Sequence, residues 1–312
     1  MNLVEIKRKP DFPAGKVAEA TFWVETFGCQ MNKSRSEHLS YRLQELGFSP
    51  AEESGEADIL VFNTCAVREH AAERAISIIS KFARERKEKN PDSIIVVCGC
   101  LGQLEREKLL GKDREINVLA GTHNWEKIPL LIKKAWQEKV KIVDFQEEPP
   151  SLYEEKGYRY SSKISAYLPI TFGCDNFCSY CVVPYTTGKQ RSKPREIIEE
   201  ELKNLVEEGF REVTLLGQNV NSYGRDRERE GAFEELLLDI EEWLRGIKIW
   251  VRFLTSHPRD FTEDIVKIVK DSSVFCPYFH LPLQAGSNKI LQLMRRGYTR
   301  EDYLNKINFI RK

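Results

Sequence analysis

Short apolar runs alternate along the chain with longer segments of helical periodicity. The runs that predict strands are TFWVETF at residues 21–27, DILVFN at 58–63, SIIVVC at 93–98 and a weaker INVLAG at 116–121. Helical patterns follow them: SRSEHLSYRLQELG, VREHAAERAISIISKFARERK, a shorter one around LEREKLL, and WEKIPLLIKKAWQE. This alternation predicts parallel strands joined by crossover helices, an open α/β domain. Residues 145–163, FQEEPPSLYEEKGYRYSSK, are polar with paired prolines and read as a linker, whose core is 148–163. A second series begins beyond it. Its strands are AYLPITF (166–172), EVTLLG (212–217), KIWVRFLTS (248–256) and PYFHLPL (277–283). Helices are expected near 194–208, 232–245, 262–270 and 287–296, with TREDYLNKINFIRK as the last. The expected division is an extension at 1–20, a first domain at 21–147, the linker, and a second domain at 164–312.

Composition agrees with two domains: 312 residues, 41% of them hydrophobic, can fill two cores. The formal net charge is zero and divides evenly between the halves, which excludes a grip on RNA by bulk charge. Arg191 and Lys193, in TTGKQRSKPRE, form one small basic patch that could meet a phosphate. The opening MNLVEIKRKPDFPAG has charges but no apolar run behind them, and no stretch approaches the roughly 18 apolar residues of a membrane span. The expectation is a cytoplasmic chain without a membrane partner. In a reducing compartment its eight cysteines point to metal ligation or redox chemistry rather than disulfides.

The cysteines' places matter more than their number. Cys29 follows the first strand, Cys65 the second, and Cys100 comes just after the third. Loops beyond the carboxyl ends of parallel strands share one rim, where ligands bind, so these three are expected to converge. Each stands among small or polar residues, in GCQMN, NTCAV and CGCLGQ. Any one of them alone would read as a small core filler. Cys98, inside the third run, reads as structural.

A sharper constellation is GCDNFCSYC at 173–181, with Cys174, Cys178 and Cys181 spaced C-x3-C-x2-C directly after a strand. Three thiolates this close can hold a cubane at three irons and leave the fourth open, whereas most clusters take four cysteines. Structural zinc prefers paired C-x2-C hooks and four ligands. Polar groups also gather at the ends of later strands: Gln218 and Asn219, Ser256 and His257, His280 and Gln284.

The spacing, with Tyr180 before its last cysteine, resembles the radical-SAM signature, in which S-adenosylmethionine chelates the open iron. From residue 20 on, the chain resembles the methylthiotransferase family. TFGCQMNKSRSE, NTCAVREHAAERA and GCLGQ are similar to blocks of the family's first domain. ITFGCDNFCSYCVVPYTTGKQRSKP, LLGQNVNSYG, LTSHP and HLPLQAGSNKILQLMRRGYTRE are similar to blocks of its radical-SAM barrel. TFGCQMN and NTCAVRE look most like the branch that converts N6-isopentenyladenosine beside the tRNA anticodon to its 2-methylthio form. Branches acting on threonylcarbamoyladenosine tRNA or on a ribosomal protein are the alternatives.

The resemblance implies a flavodoxin/Rossmann-like open parallel sheet followed by a radical-SAM (βα) barrel, two 4Fe–4S clusters, and S-adenosylmethionine. Cys29, Cys65 and Cys100 would hold an auxiliary cluster that carries the sulfur; Cys174, Cys178 and Cys181 would hold the radical-SAM cluster. Gln218, Ser256 and Gln284 would line the S-adenosylmethionine pocket, with no catalytic side chain beyond the clusters. One S-adenosylmethionine would yield a radical that takes hydrogen from C2 of the adenine, and a second would methylate the sulfur. The implied partners are tRNA and an electron donor such as flavodoxin or ferredoxin, and the chain is expected to be a monomer. The family barrel has six βα units and a small β domain beyond it that helps hold tRNA; four units are legible here. A partial barrel without the RNA-binding β domain is therefore expected, either still active or reduced to a non-catalytic iron–sulfur protein.

Overall fold

In a computed structural model of the chain, the runs Ile59–Thr64 and Ile94–Gly99 are buried at every position, as strands covered on both faces by crossover helices should be. The structure describes residues 6–7, 20–66, 69–110, 115–149, 157–227 and 232–312. The chain divides into two units, residues 1–159 with 185–187, and residues 160–184 with 188–312. Most of the expected extension at 1–20, and residues 150–156 of the expected linker, lie outside the described residues.

The first unit runs β1 (Ile6–Lys7), β2 (Thr21–Thr26), α1 (Gln30–Glu45), β3 (Ser49–Pro50), β4 (Ile59–Thr64), α2 (Glu69–Lys89), β5 (Ile94–Gly99), α3 (Cys100–Leu104), α4 (Arg106–Leu109), β6 (Val118–Ala120), α5 (Ile128–Glu138) and β7 (Val140–Asp144). The sheet order is β1-β7-β6-β5-β4-β2-β3, with β1 antiparallel to β7 and every other pair parallel. Within it, β3-β2-β4-β5-β6 is the flavodoxin-like order, whose topological switch point falls between β2 and β4. Leu60, Phe62, Ile95 and Val97 face Ala75, Ile79 and Ala83 of α2 in one core.

Three details differ from the sequence expectation. The helix around 104–110 is two short helices, and the first begins at Cys100. β7 has no counterpart among the expected strands, because its five residues carry too short an alternation to stand out after α5. Residues 157–159 dock on α1: the Arg159 N–H donates to the Glu37 carbonyl (3.0 Å) and His38 Nδ1 lies 2.9 Å from the Gly157 carbonyl.

The remaining elements are β8 (Ser165–Pro169), β9 (Thr171–Phe172), α6 (Val183–Thr186), β10 (Arg191–Ser192), α7 (Arg195–Glu207), β11 (Glu212–Leu216), α8 (Ala232–Trp243), β12 (Trp250–Phe253), α9 (Glu263–Asp271), α10 (Asn288–Leu293) and α11 (Arg300–Ile310). β8, β11 and β12 form a parallel sheet with β11 in the middle. Helical stripes pack on it: Ile198, Leu202 and Leu205 from α7, Phe233, Leu236, Leu237 and Ile240 from α8, and Ile265, Val266 and Val269 from α9.

The run expected as one strand at 166–172 breaks at Ile170, where the chain leaves β11 and pairs instead with β10. The strand expected at 277–283 does not form. The chain just before it meets the sheet at an isolated bridge between Val251 and Phe275, and Pro277 and Pro282 lack the N–H a ladder needs.

Candidate functional site: two cysteine rims

β5, β4 and β2 are consecutive neighbours in the first sheet, and parallel neighbours lie roughly 4.8 Å apart. Cys100, Cys65 and Cys29 follow their carboxyl ends directly or within three residues, so they stand side by side at the switch point. Gly28 makes the closest join. Its φ of +110° suits no side chain, and a Cβ there would collide with Cys65 Cβ and lie 2.8 Å from Cys65 Sγ. Asn32 Nδ2 staples the same loops, donating to the carbonyls of Phe27 (2.8 Å) and Thr64 (3.0 Å). Asn63 Nδ2 returns a bond to the Asn32 carbonyl at 2.8 Å.

Cys29 is the N-cap of α1 and is exposed, and Cys65 is half-buried. Burial pushes the Cys100 thiol up to about 11, with Cys65 and Cys29 close enough to add to the rise. Cys98 is different: it lies wholly inside the sheet with Sγ against the Phe62 carbonyl at 3.7 Å, and burial pushes it to about 12. Among the described residues no three His, Cys, Asp or Glu side chains converge as the ligands of a single metal ion would. A cubane makes a different demand, since each thiolate meets its own iron. Neighbouring thiols on three adjacent strand ends fit that donor set.

In the second unit, β9 and β10 pair at the base of the three-cysteine loop, Arg191 with Phe172 and Ser192 with Thr171. The Cys174 N–H donates to the Gly188 carbonyl at 3.1 Å, and a Cβ on Gly173, at φ +74°, would lie 2.5 Å from that oxygen. Cys174 and Cys178 are buried and Cys181 is half-buried. The Cys181 N–H donates to the Cys178 carbonyl at 2.9 Å, folding the last four residues of the motif into a tight turn. Burial pushes the Cys174 thiol up to about 11 and raises Cys181 as well. Such thiols ionise when a metal takes them, and cations close by favour that. Arg296 Nη1 donates to Cys178 Sγ at 3.1 Å, and Arg259 donates through Nη2 to Asn176 Oδ1 within the loop.

Polar groups line the carboxyl rim of this sheet. Gln218 is half-buried after β11 and Ser256 is buried after β12, whereas His280 and Gln284, expected to flank a fourth strand, are exposed and follow no strand, with Gln284 at φ +71°. Ser256 Oγ, Asn219 Oδ1, His257 Nε2 and Thr171 Oγ1 are buried without a hydrogen-bond partner among the described residues. Buried polar atoms are rarely left so, and a polar ligand at the rim would satisfy them. Asp260, buried, accepts from Asn219 Nδ2 (2.7 Å) and Arg259 Nε (2.8 Å) and pairs with Arg225. The arginine bonds outweigh burial and hold its carboxyl below the usual range. This arginine–carboxylate network, and Arg296, have no local signature in the sequence. Lys193 is not part of an exposed patch: it is buried and paired with Glu201 at 2.7 Å.

Burial and then the Arg296 charge lower His257 to about 4, and Asp260, Arg259 and Arg225 also face it. A histidine held neutral contributes stability that is present above its ordinary value of 6.5 and lost as pH falls towards 4. The denaturation midpoint should therefore fall across that window, and His257→Gln should flatten the fall. A pH-independent midpoint, or an unchanged slope in the variant, would contradict the assignment.

Residues 21–121 match the uncharacterized protein family UPF0004, and residues 168–312 match the radical SAM superfamily. The tRNA-2-methylthio-N(6)-dimethylallyladenosine synthase of Clostridium tetani is 44% identical over 299 residues, 95% of this chain and 65% of that protein. The protein of the same name from Carboxydothermus hydrogenoformans is 42% identical over 95% of this chain and 67% of its own. That from Natranaerobius thermophilus is 42% identical over 93% and 64%. The chain spans about two thirds of the length of these relatives.

Among solved structures, the radical S-adenosylmethionine methyltransferase TsrM from Kitasatospora setae aligns over 94% of this chain and 66% of its own, with TM-score 0.64 and 12% identity. The cobalamin-dependent S-adenosylmethionine radical enzyme OxsB aligns over 94% and 48%, with TM-score 0.62 and 14% identity. These two share the fold. The fold is an open parallel-sheet domain followed by a partial radical-SAM (βα) barrel. The chain belongs to the methylthiotransferase family of radical-SAM proteins.

Proposed function

We propose that this chain is the two-cluster part of a tRNA methylthiotransferase acting at C2 of N6-isopentenyladenosine beside the anticodon. The observation that carries the reading is the second cysteine set, Cys29, Cys65 and Cys100, on three adjacent strand ends. A radical-SAM enzyme that only opens a C–H bond needs one cluster; delivery of sulfur calls for another. Cys174, Cys178 and Cys181 would hold the first 4Fe–4S cluster, and Cys29, Cys65 and Cys100 the auxiliary one. Bound there, the groups supply one-electron cleavage of S-adenosylmethionine, hydrogen abstraction and a sulfur to transfer.

The chain's own residues bind and position. The β9–β10 clasp fixes the three-cysteine loop at its base. Ser256, with its buried Oγ, and Gln218 offer polar contacts to S-adenosylmethionine, and Gln284, on an exposed turn, would offer a third. His257 stays neutral and Asp260 stays ionised through the neutral pH range, so only the carboxylate puts a fixed charge there. The domain boundaries proposed are 21–147 and 164–312, with 148–163 as the linker. An external donor of the flavodoxin or ferredoxin class supplies the electron, and the chain works as a cytoplasmic monomer. Among the described residues no helix is long and apolar enough to cross a membrane.

Anaerobic reconstitution followed by iron and sulfide analysis and Mössbauer spectroscopy tests the reading. About eight irons per chain, in two cubanes, are expected. Turnover with isopentenylated tRNA should then give the 2-methylthio nucleoside by mass spectrometry. Zinc in place of iron would sink the reading.

A further inference from the structure

Arg296 is 5% exposed, yet no carboxylate pairs with it among the described residues. Its partners are Cys178 Sγ at 3.1 Å, Tyr180 Oη at 3.3 Å and Tyr298 Oη at 3.4 Å. Arg259, which reaches the same loop at Asn176, is paired with Asp260, a carboxylate it shares with Arg225. A buried guanidinium without a counter-charge is expensive, so the anion it serves must come from the sulfur side.

The backbone is shaped to put it there. Arg295 and Gly297, on either side, both take left-handed conformations, φ +57° and +68°. The strain this places on Arg295 persists where the surroundings fix it. Here the Ser179 N–H donates to the Met294 carbonyl at 3.2 Å, and Tyr298 Oη donates to the Leu283 carbonyl at 2.5 Å. One of these bonds ties the turn directly to the cysteine loop.

We propose that Arg296 is a positioning residue that raises the reduction potential of the cluster on Cys174, Cys178 and Cys181 through its charge and its bond to Cys178 Sγ. The inference rests on the cluster reading above. Reduction adds one electron from the external donor, breaks no bond, and makes the thiolate-ligated cluster more anionic. A fixed buried cation and an N–H···S bond both favour that state. Lysine could keep the charge but not the planar guanidinium that reaches Cys178 through Nη1 and Tyr298 through Nε together.

The test uses the full chain with Cys29, Cys65 and Cys100 changed to alanine, so that one cluster is read. Iron content and an EPR-monitored reductive titration are compared for this parent, Arg296→Gln and Arg296→Lys. With iron retained, Arg296→Gln should shift the reduction equilibrium about tenfold towards the oxidised form, about 59 mV for one electron. Arg296→Lys should fall between it and the parent. Full iron with an unchanged or higher potential in Arg296→Gln would overturn the proposal. So would loss of iron in both variants, which would make Arg296 an assembly residue. A parent that binds no iron would instead overturn the cluster reading itself, and this inference with it.

Discussion

Cys174→Ala should abolish reductive cleavage of S-adenosylmethionine, with 5′-deoxyadenosine falling at least about a hundredfold, while the auxiliary cluster stays in place. Ligand loss should exceed the 10–100-fold typical of losing an outer-shell partner. Iron should drop by about half, from about eight to about four per chain. Cys65→Ala should do the reverse, keeping 5′-deoxyadenosine and losing methylthio product. The separation follows from the fold: each triad sits on its own sheet, backed by its own core. Neither substitution should unfold its unit. Cys174→Ala removes one small sulfur while the Cys174 backbone stays bonded to Gly188. Cys65 is half-buried, so its loss empties little packed volume. Identical behaviour of the two variants would refute the division of labour between the triads.

The cysteine placements are legible in the sequence because central parallel strands are continuous apolar runs with sharp ends. β4 and β5 are such runs, and Cys65 and Cys100 follow them directly. Cys174 is legible from spacing alone. What escapes depends on contacts between distant positions. Arg296 meets Cys178 across 118 residues, and in MRRGYTRE it reads as one more surface charge. Lys193 misleads in the opposite sense, because Glu201, which neutralises it, lies eight residues on along α7 and no local pattern marks the pair. The periodicity starts α1 four residues late, since its N-cap is Cys29 rather than a serine, threonine or aspartate. That late start hides the fact that the first ligand candidate caps a helix. The strand expected at 277–283 shows the remaining limit. Of this apolar run only Leu281 is buried, and only a partner with free N–H and C=O groups would turn it into a strand.

The other large effect is expected from a methyl group. Gly28→Ala should destroy the auxiliary site, and Gly47→Ala should not. Both glycines hold left-handed backbones, φ +110° and +93°, so alanine strains each by about 1–3 kcal/mol. At Gly47 no described residue beyond its chain neighbours lies within 4 Å of the added carbon. At Gly28 that carbon would collide with Cys65 Cβ and press on its sulfur at 2.8 Å, adding about 1–3 kcal/mol of overpacking. The neighbour cannot step aside cheaply: Cys65 follows directly on β4, whose last carbonyl, Thr64, is held by Asn32. Relief has to come from parting the β2 and β4 loops, which separates Cys29 from Cys65. In a Cys174→Ala background, where the auxiliary cluster is the one left, Gly28→Ala should reconstitute with under about a tenth of the parent iron, a loss of roughly 1.4 kcal/mol or more in binding. Gly47→Ala in the same background should hold the parent value. Full iron in Gly28→Ala would mean that the close approach of Gly28 to Cys65 is not what holds the three thiols together. Equal losses in the two variants would assign the effect to backbone strain on α1 instead, since Gly28 and Gly47 flank that helix at its two ends.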